Sequence, residues 1–195
     1  MFEKEKSGLK MKLRTIAGKL EKKRVLDKNI VIIPDDETVH RIFTEAMEYL
    51  FRESLPKANK IVATERVKWL DFKDKDKVVY LTTEGEGEPF IYHDVPWKRE
   101  YEKLYLSDEL ENEKVIVVDD VAYKGDTLER IIDALQKKNN TVVDAGVCIL
   151  RYSKFLIRRK IHNLYGIRLK VALEMNLFND NLDIKNYLVE TAPDR

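Results

Sequence analysis

VIVVDDVAYKGDTL, residues Val115–Leu128, is four apolar residues, two adjacent aspartates, a short loop with one glycine, and a threonine where a helical pattern begins. An unbroken apolar run such as Val115–Val118 predicts a strand buried on both faces of a parallel sheet, because a face meeting water would impose alternation. Leu128, Ile131, Ile132 and Leu135 then step at i, i+3, i+4 and i+7, the spacing of one buried helix face. A loop that closes from a strand onto a helix N-terminus presents unpaired backbone N–H groups and the positive end of the helix dipole, which together favour an anion. Gly125 permits the close backbone approach that a phosphate needs, and Thr127 can add its hydroxyl. Asp119 and Asp120 fall at the strand's carboxyl end, where open α/β sheets bind ligands. Their oxygens suit sugar hydroxyls, or a divalent cation reached through water.

Working outward, Leu9, Leu13, Ile16 and Leu20 with Lys and Arg between them predict an amphipathic N-terminal helix. Asn29–Ile33 predicts a short strand ending at Pro34. The stripe Val39, Ile42, Phe43, Ala46, Met47, Leu50 and Phe51 predicts a helix capped by Asp35 or Asp36 and ended before Pro56. Further strands are predicted at Lys60–Thr64, Lys77–Leu81, Phe90–Val95, Lys103–Leu106, Val142–Leu150 and Arg168–Leu173, and a helix over Ser153–Tyr165 stopped by Gly166. Thr82–Pro89 (TTEGEGEP) has the composition of a mobile loop. The alternation of strand and helix from residue 29 onward implies an α/β fold with a mostly parallel central sheet flanked by helices.

The length suffices for one domain with a proper core, and 44% hydrophobic residues exclude a disordered chain. Charged residues dominated by Lys and Glu, with Gly, Pro and Cys scarce, follow a thermophile-like pattern. Cys148 is the one cysteine and lies in an apolar run, so a disulfide framework is excluded and a reducing compartment is expected. No apolar stretch reaches the length of a membrane span and no h-region follows the basic N-terminus, so a soluble, cytoplasmic protein without membrane contact is expected. His40, on the polar flank of its helix, His93 and His162 are not paired with Cys or His at ligand spacing, and no structural zinc is expected. Residues 1–28 carry net +6 and residues 151–195 net +4; against a total of +1, the middle holds −9. Basic ends around an acidic centre can mean nucleic-acid contact or subunit pairing. Solvated helix faces are the commoner source, and nucleic-acid binding is not expected.

Several readings of the acidic pair compete. Asp126 and Thr127 could do no more than cap a helix, and the two aspartates could be a solvated strand end. A Walker B strand also ends in acid, but no GxxxxGK[ST] occurs in the chain. A receiver domain carries its acidic pair near its start, whereas only 75 residues follow Asp120.

Taken whole, VIVVDDVAYKGDTL resembles the signature with which type I phosphoribosyltransferases bind 5-phosphoribosyl-1-pyrophosphate (PRPP). From Lys60 to Leu173 the layout is similar to the archaeal purine phosphoribosyltransferases of the adenine and hypoxanthine type. KIVAT (Lys60–Thr64) stands where the strand before the pyrophosphate loop stands, TTEGEGEP at the flexible-loop position, and LYLSDEL (Leu104–Leu110) before the signature strand. The resemblance implies the type I phosphoribosyltransferase fold with a small hood. Residues 1–35 would give the N-terminal helix and part of the hood, 36–175 the core, and 176–195 a tail joining the hood. It implies that Asp119 and Asp120 are the catalytic pair, holding the ribose 2′- and 3′-hydroxyls. Ala122, Tyr123, Lys124, Gly125, Asp126 and Thr127 would cradle the 5′-phosphate, mainly through backbone N–H groups and Thr127. Mg²⁺ would rest on PRPP oxygens and water, with no direct protein ligand. The implied reaction transfers the phosphoribosyl group to a nucleobase, expected to be a purine, and releases pyrophosphate and a nucleoside monophosphate. A homodimer is implied as well. The alternative is a non-catalytic PRPP- or nucleotide-binding regulator with a degenerate pyrophosphate site.

Three departures from the family pattern stand out. Tyr123 and Lys124 occupy positions where Thr or Ser is usual at one or both; Lys124 either gives the phosphate a point charge or faces solvent, and Asp126 is expected to face solvent. The pyrophosphate loop reads Glu65-Arg66-Val67-Lys68-Trp69 and lacks the family's glycine or small residue, so Arg66 and Lys68 either reach pyrophosphate with their side chains or are surface charges. The flexible loop carries Glu84, Glu86 and Glu88 in place of basic residues, an arrangement unfavourable near pyrophosphate unless Mg²⁺ or Lys98 and Arg99 compensate. Trp69, Trp97, Tyr92 and Tyr101 either stack on a base or pack, and Arg158-Arg159-Lys160 is expected to face water.

Overall fold

A computed structural model describes residues 2–25, 28–95, 100–151, 156–176 and 183–190. In chain order its elements are α1 (Phe2–Ala17), β1 (Glu21–Val25), β2 (Lys28–Ile32), α2 (Glu37–Phe51), β3 (Lys60–Thr64), β4 (Val78–Thr82), β5 (Ile91–Val95), β6 (Glu100–Leu106), β7 (Lys114–Ala122), α3 (Asp126–Lys137), β8 (Thr141–Arg151), α4 (Leu156–Tyr165), β9 (Leu169–Asn176) and β10 (Asp183–Val189). Eight strands form one sheet in the order β10-β9-β8-β7-β3-β4-β6-β5, and β1 and β2 form a separate antiparallel ribbon. The five strands from β9 to β4 are parallel; β10, β6 and β5 join antiparallel at the two edges.

The apolar run at the head of β7 is the reason the sheet is covered on both sides. Val115 and Val117 point into one core and Ile116 and Val118 into the other, all with no exposed surface. On the first side lie α3 and α4, with Leu128, Ile131, Ile132 and Leu135 fully enclosed, each burial contributing about 2 kcal/mol. On the second lie α1, through Leu9, Leu13 and Ile16, and α2, through Val39, Phe43, Met47 and Phe51. Asp36 caps α2 by accepting from the Val39 amide at 3.0 Å. Gly146 of β8 lets α2 settle onto the sheet, since a Cβ there would meet Phe51 Cζ at 2.6 Å.

The predicted strands and helices all appear, with ends shifted by a few residues; the start of the helix predicted from Ser153, along with Trp97, Lys98 and Arg99, lies outside the described residues. Two strands were not anticipated. β1 reads EKKRV and carries no alternation of apolar residues. β10 extends the sheet edge from the segment read as a hood-forming tail, with a bulge between Ile184 and Asn186. From α1, Leu9, Leu13 and Ile16, and from β10, Leu188, sit in the core on the α2 side of the sheet. The run at 158–160 also does not simply face water, because Arg158 is buried and lies 3.3 Å from the equally buried Glu174 of β9.

A second buried ionic group ties the opposite end of the sheet. Asp144 of β8 accepts from Ser54 Oγ at 2.7 Å and pairs with Lys170 Nζ of β9, which is also 3.3 Å from Ser54 Oγ and 5.3 Å from the Phe51 ring centre. Burial lifts the Asp144 pKa, while the bonds from Lys170 and Ser54 oppose the lift. Asp144→Ala would leave an ammonium nearly enclosed with no carboxylate beside it, and should lower the free energy of unfolding in urea by about 3 kcal/mol. A loss below about 0.5 kcal/mol would show that the pair is not a fastener of the sheet.

Candidate active site

The parallel register of β3 and β7 matches Lys60 with Val115 and Ala63 with Val118, which brings Thr64 alongside Asp119 at the carboxyl ends of the two strands. Thr64 Oγ1 donates to Asp119 Oδ1 at 2.7 Å, and the Asp120 backbone N–H donates to the same oxygen at 2.9 Å. Asp119 is 2% exposed, so these bonds replace water around a buried carboxylate. Thr64 was not singled out from the sequence, although its place at the end of KIVAT, level with Asp119 in a parallel pairing, is the signal that could have found it.

Asp120 is less well served. Its Oδ1 is shut off from solvent and makes no hydrogen bond. Burial and then the negative charge of Asp119 push its pKa up to about 7, against the pull of Arg66. The Arg66 guanidinium spans the pair, with Nη2 3.5 Å from Asp119 Oδ1 and Nε 3.5 Å from Asp120 Oδ1. Burial works against the charge on Arg66, but Asp119 and Asp120 outweigh it and the guanidinium is held firmly protonated. Cys148, enclosed on β8, has its thiol pushed well up by burial and by the same two aspartates, which favours the neutral thiol.

Glu65, Arg66 and Val67 form a single 3₁₀ turn after β3. Val67 is buried in the core, so its side chain is an anchor. Glu65 accepts from Thr83 Oγ1 at 3.2 Å, which holds the turn against the start of the acidic loop. Lys68 leans over the Tyr80 ring at 5.7 Å with Glu65 4.0 Å away, and Trp69 stacks on His40 at 4.6 Å between ring centres. Of the four residues expected at the pyrophosphate end, only Arg66 reaches the aspartates. Within the acidic loop, Gly85 lies against the Tyr105 ring, with Glu84 and Glu86 exposed on either side.

The phosphate-cradle residues are arranged unevenly. Ala122, expected in the loop, is the buried last residue of β7, in register with Leu150 of β8. The loop is therefore only Tyr123, Lys124 and Gly125. Tyr123 turns its ring into the core, and its hydroxyl accepts from the Val31 N–H at 2.6 Å. Burial raises the phenol's pKa to about 12, so it remains a neutral hydroxyl that links the loop to the β1–β2 ribbon. Lys124 is exposed; Thr127 is half-buried in the first turn of α3. Exposed Asp126 lies 3.9 Å from Lys160 Nζ of α4, which also pairs with Glu129, so a cation from α4 offsets the acidic first turn of α3.

Gly125 is the residue on which this junction turns. It caps α3 with φ +78, and a Cβ there would meet Ile157 Cγ2 of α4 at 2.6 Å. Left-handed backbone and close approach both call for glycine. Gly125→Ala should therefore cost about 2 kcal/mol of stability in denaturant unfolding, from backbone strain and overpacking together. A variant as stable as the parent would contradict this reading of the junction.

The strand–aspartate pair–short loop–helix arrangement agrees with what the chain is similar to. Residues 74–163 match the family model described as the phosphoribosyl transferase domain. A hypoxanthine/guanine phosphoribosyltransferase of Methanocaldococcus vulcanius is 31% identical over 156 residues, covering 66% of this chain and 81% of the relative. One from Methanotorris igneus is 29% identical over 147 residues, covering 63% and 78%. Among solved structures, adenine phosphoribosyltransferase from Rhodothermus marinus superposes with a TM-score of 0.61 at 14% identity, covering 85% of this chain and 99% of that one. Orotate phosphoribosyltransferase from Aeropyrum pernix gives 0.54 at 17%, covering 82% and 90%. The fold, the expected signature segment at the end of its central strand, and these similarities agree: the chain belongs to the phosphoribosyltransferase family.

Proposed function

We propose that the chain transfers the 5-phosphoribosyl group of PRPP to a purine base, forming a nucleoside 5′-monophosphate and releasing pyrophosphate. One observation carries the reading: the adjacent Asp119 and Asp120, the first buried and the second partly so, sit near the carboxyl end of β7, whose last residue stands three residues from the Gly125 that caps α3. A ribose 5-phosphate has hydroxyls at one end and an anion at the other, and this junction offers carboxylate acceptors and backbone donors in that order. The names of the archaeal relatives point to a 6-oxopurine, hypoxanthine or guanine, as the acceptor.

In this reading the ribose 2′- and 3′-hydroxyls donate to Asp119 and Asp120, whose Oδ1 atom lacks a hydrogen bond and would gain one. The 5′-phosphate rests on the backbone of Tyr123–Thr127, with the Thr127 hydroxyl beside it and Lys124 at the rim. The base nitrogen forms its bond to C1′ as the C1′–O bond to pyrophosphate breaks. Positive charge develops on the ribose, and the two carboxylates below it stabilise that charge without reorganising. Arg66 supplies a cation on the side where pyrophosphate leaves. Among the described residues no group of three or more His, Cys, Asp or Glu is gathered to hold a metal. In this reading a Mg²⁺ ion is a companion of PRPP, held by its oxygens and water, with the aspartates reached through water. When bound it would neutralise the diphosphate charge.

The same reading makes the chain a cytoplasmic homodimer; among the described residues no helix is long and apolar enough to cross a membrane. Release of pyrophosphate from PRPP and Mg²⁺ is expected with hypoxanthine or guanine, and should fall about a hundredfold in Asp120→Asn, measured by a coupled pyrophosphate assay. No release with any purine or pyrimidine, from protein that still binds PRPP, would overturn the enzymatic reading in favour of a binding protein.

A further inference from the structure

The residues that should grip the ribose are already engaged from within. Arg66 Nη2 and Nε each lie 3.5 Å from an Oδ1 atom, one on Asp119 and one on Asp120. Asp119 Oδ1 accepts in addition from Thr64 and from the Asp120 amide, at 2.7 and 2.9 Å. A ribose hydroxyl approaching either oxygen needs a separation of about 2.7 Å and the lone pairs that face the guanidinium. At these two oxygens the guanidinium and a ribose hydroxyl compete, so a sugar that binds through them enters by displacing Arg66.

The backbone beneath Arg66 is pinned while its side chain is not. Val67 is buried on one side and Glu65 is tied to Thr83 on the other. The Arg66 side chain itself is 35% exposed, and its contacts to the carboxylates are long for charge-assisted hydrogen bonds. A rotation of the side chain alone, with the turn fixed, can carry the guanidinium off the pair. The charges around it, Asp119, Asp120, Glu102 and Glu65, are all acidic. Once displaced it requires a new anion, or it is left close to carboxylates it no longer pairs with.

We propose that Arg66 is a specificity latch: it rests on Asp119 and Asp120 in the empty site, and only a ligand carrying a diphosphate at the anomeric carbon compensates for its release by giving it a new partner. This rests on the phosphoribosyl-transfer reading and adds to it the residue that tells PRPP from ribose 5-phosphates lacking the diphosphate. A planar guanidinium suits both stations, because it can face two carboxylates and can face a diphosphate in the same forked manner. The latch also acts on the way out. When pyrophosphate departs, the guanidinium loses its anion and returns to the aspartates in competition with the hydroxyls of the product, which weakens nucleotide binding.

Titration calorimetry of the full chain with PRPP–Mg²⁺ and, separately, with ribose 5-phosphate tests this in the parent, Arg66→Met and Arg66→Lys. Arg66→Met keeps the stem and removes the charge. Its affinity for PRPP should fall about tenfold or more while its affinity for ribose 5-phosphate rises several-fold, and Arg66→Lys should lie between. Opposite movements of the two ligands are the signature, since general damage to the site weakens both. Ribose 5-phosphate binding that weakens or stays unchanged in Arg66→Met overturns the latch while leaving phosphoribosyl transfer standing. A parent protein that binds neither ligand overturns the latch together with the reading on which it rests.

Discussion

Two adjacent carboxylates at the end of a strand buried on both faces impose the central constraint on this molecule. Asp119 follows four residues that have no exposed surface, and it is itself enclosed. A buried anion is tolerated only when paired or hydrogen-bonded, and two neighbouring ones repel each other. The surrounding structure answers residue by residue. β3 runs parallel to β7 in the register that sets Thr64 beside Asp119, the amide of Asp120 serves the preceding side chain, and the turn after β3 places Arg66 across both. Asp120 is left short of a hydrogen bond, and its carboxyl is raised accordingly. That incompletely satisfied oxygen faces the guanidinium of Arg66 at 3.5 Å, so the strain of the pair is concentrated at the proposed site.

The other half of the site depends on backbone geometry. Ala122 ends β7 inside the sheet and Asp126 begins α3, so three residues make the whole turn between strand and helix. Gly125 provides the left-handed conformation and the space against Ile157. Tyr123, where the family pattern has a small hydroxyl residue, sends its ring inward and holds Val31 of the ribbon through its hydroxyl. The turn that would meet a phosphate is thus joined to a second sheet beyond the core. Lys160 of α4 balances the acidic residues at the mouth of α3.

Much of this was legible in the sequence, for physical reasons that differ by element. Val115–Val118 and the Leu128–Leu135 face were readable because burial on both sides of a strand and on one side of a helix leave opposite signatures in residue pattern. The junction that carries the aspartate pair, Gly125 and Thr127 was readable because a strand closing through a tight turn onto a helix N-terminus demands few residue types at fixed spacing. β1 was not, since EKKRV buries too little apolar surface to show a period, and β10 was masked by its bulge. Arg158 was read as a solvated charge because its neighbours in sequence are basic; its partner Glu174 lies on another strand, beyond the reach of local pattern. The same holds for Arg66. The sequence left it between a pyrophosphate contact and a surface charge, and only the fold brings it to the two aspartates.

A structure of the chain with PRPP and Mg²⁺ bound bears most directly on the proposed site at the β7–α3 junction. Both ribose hydroxyls should lie within hydrogen-bonding reach of Asp119 and Asp120, the 5′-phosphate over the amides that open α3, and the Arg66 guanidinium turned from the carboxylates onto the pyrophosphate. PRPP held elsewhere, or lying at the junction with its hydroxyls directed away from the aspartate pair, would contradict the account.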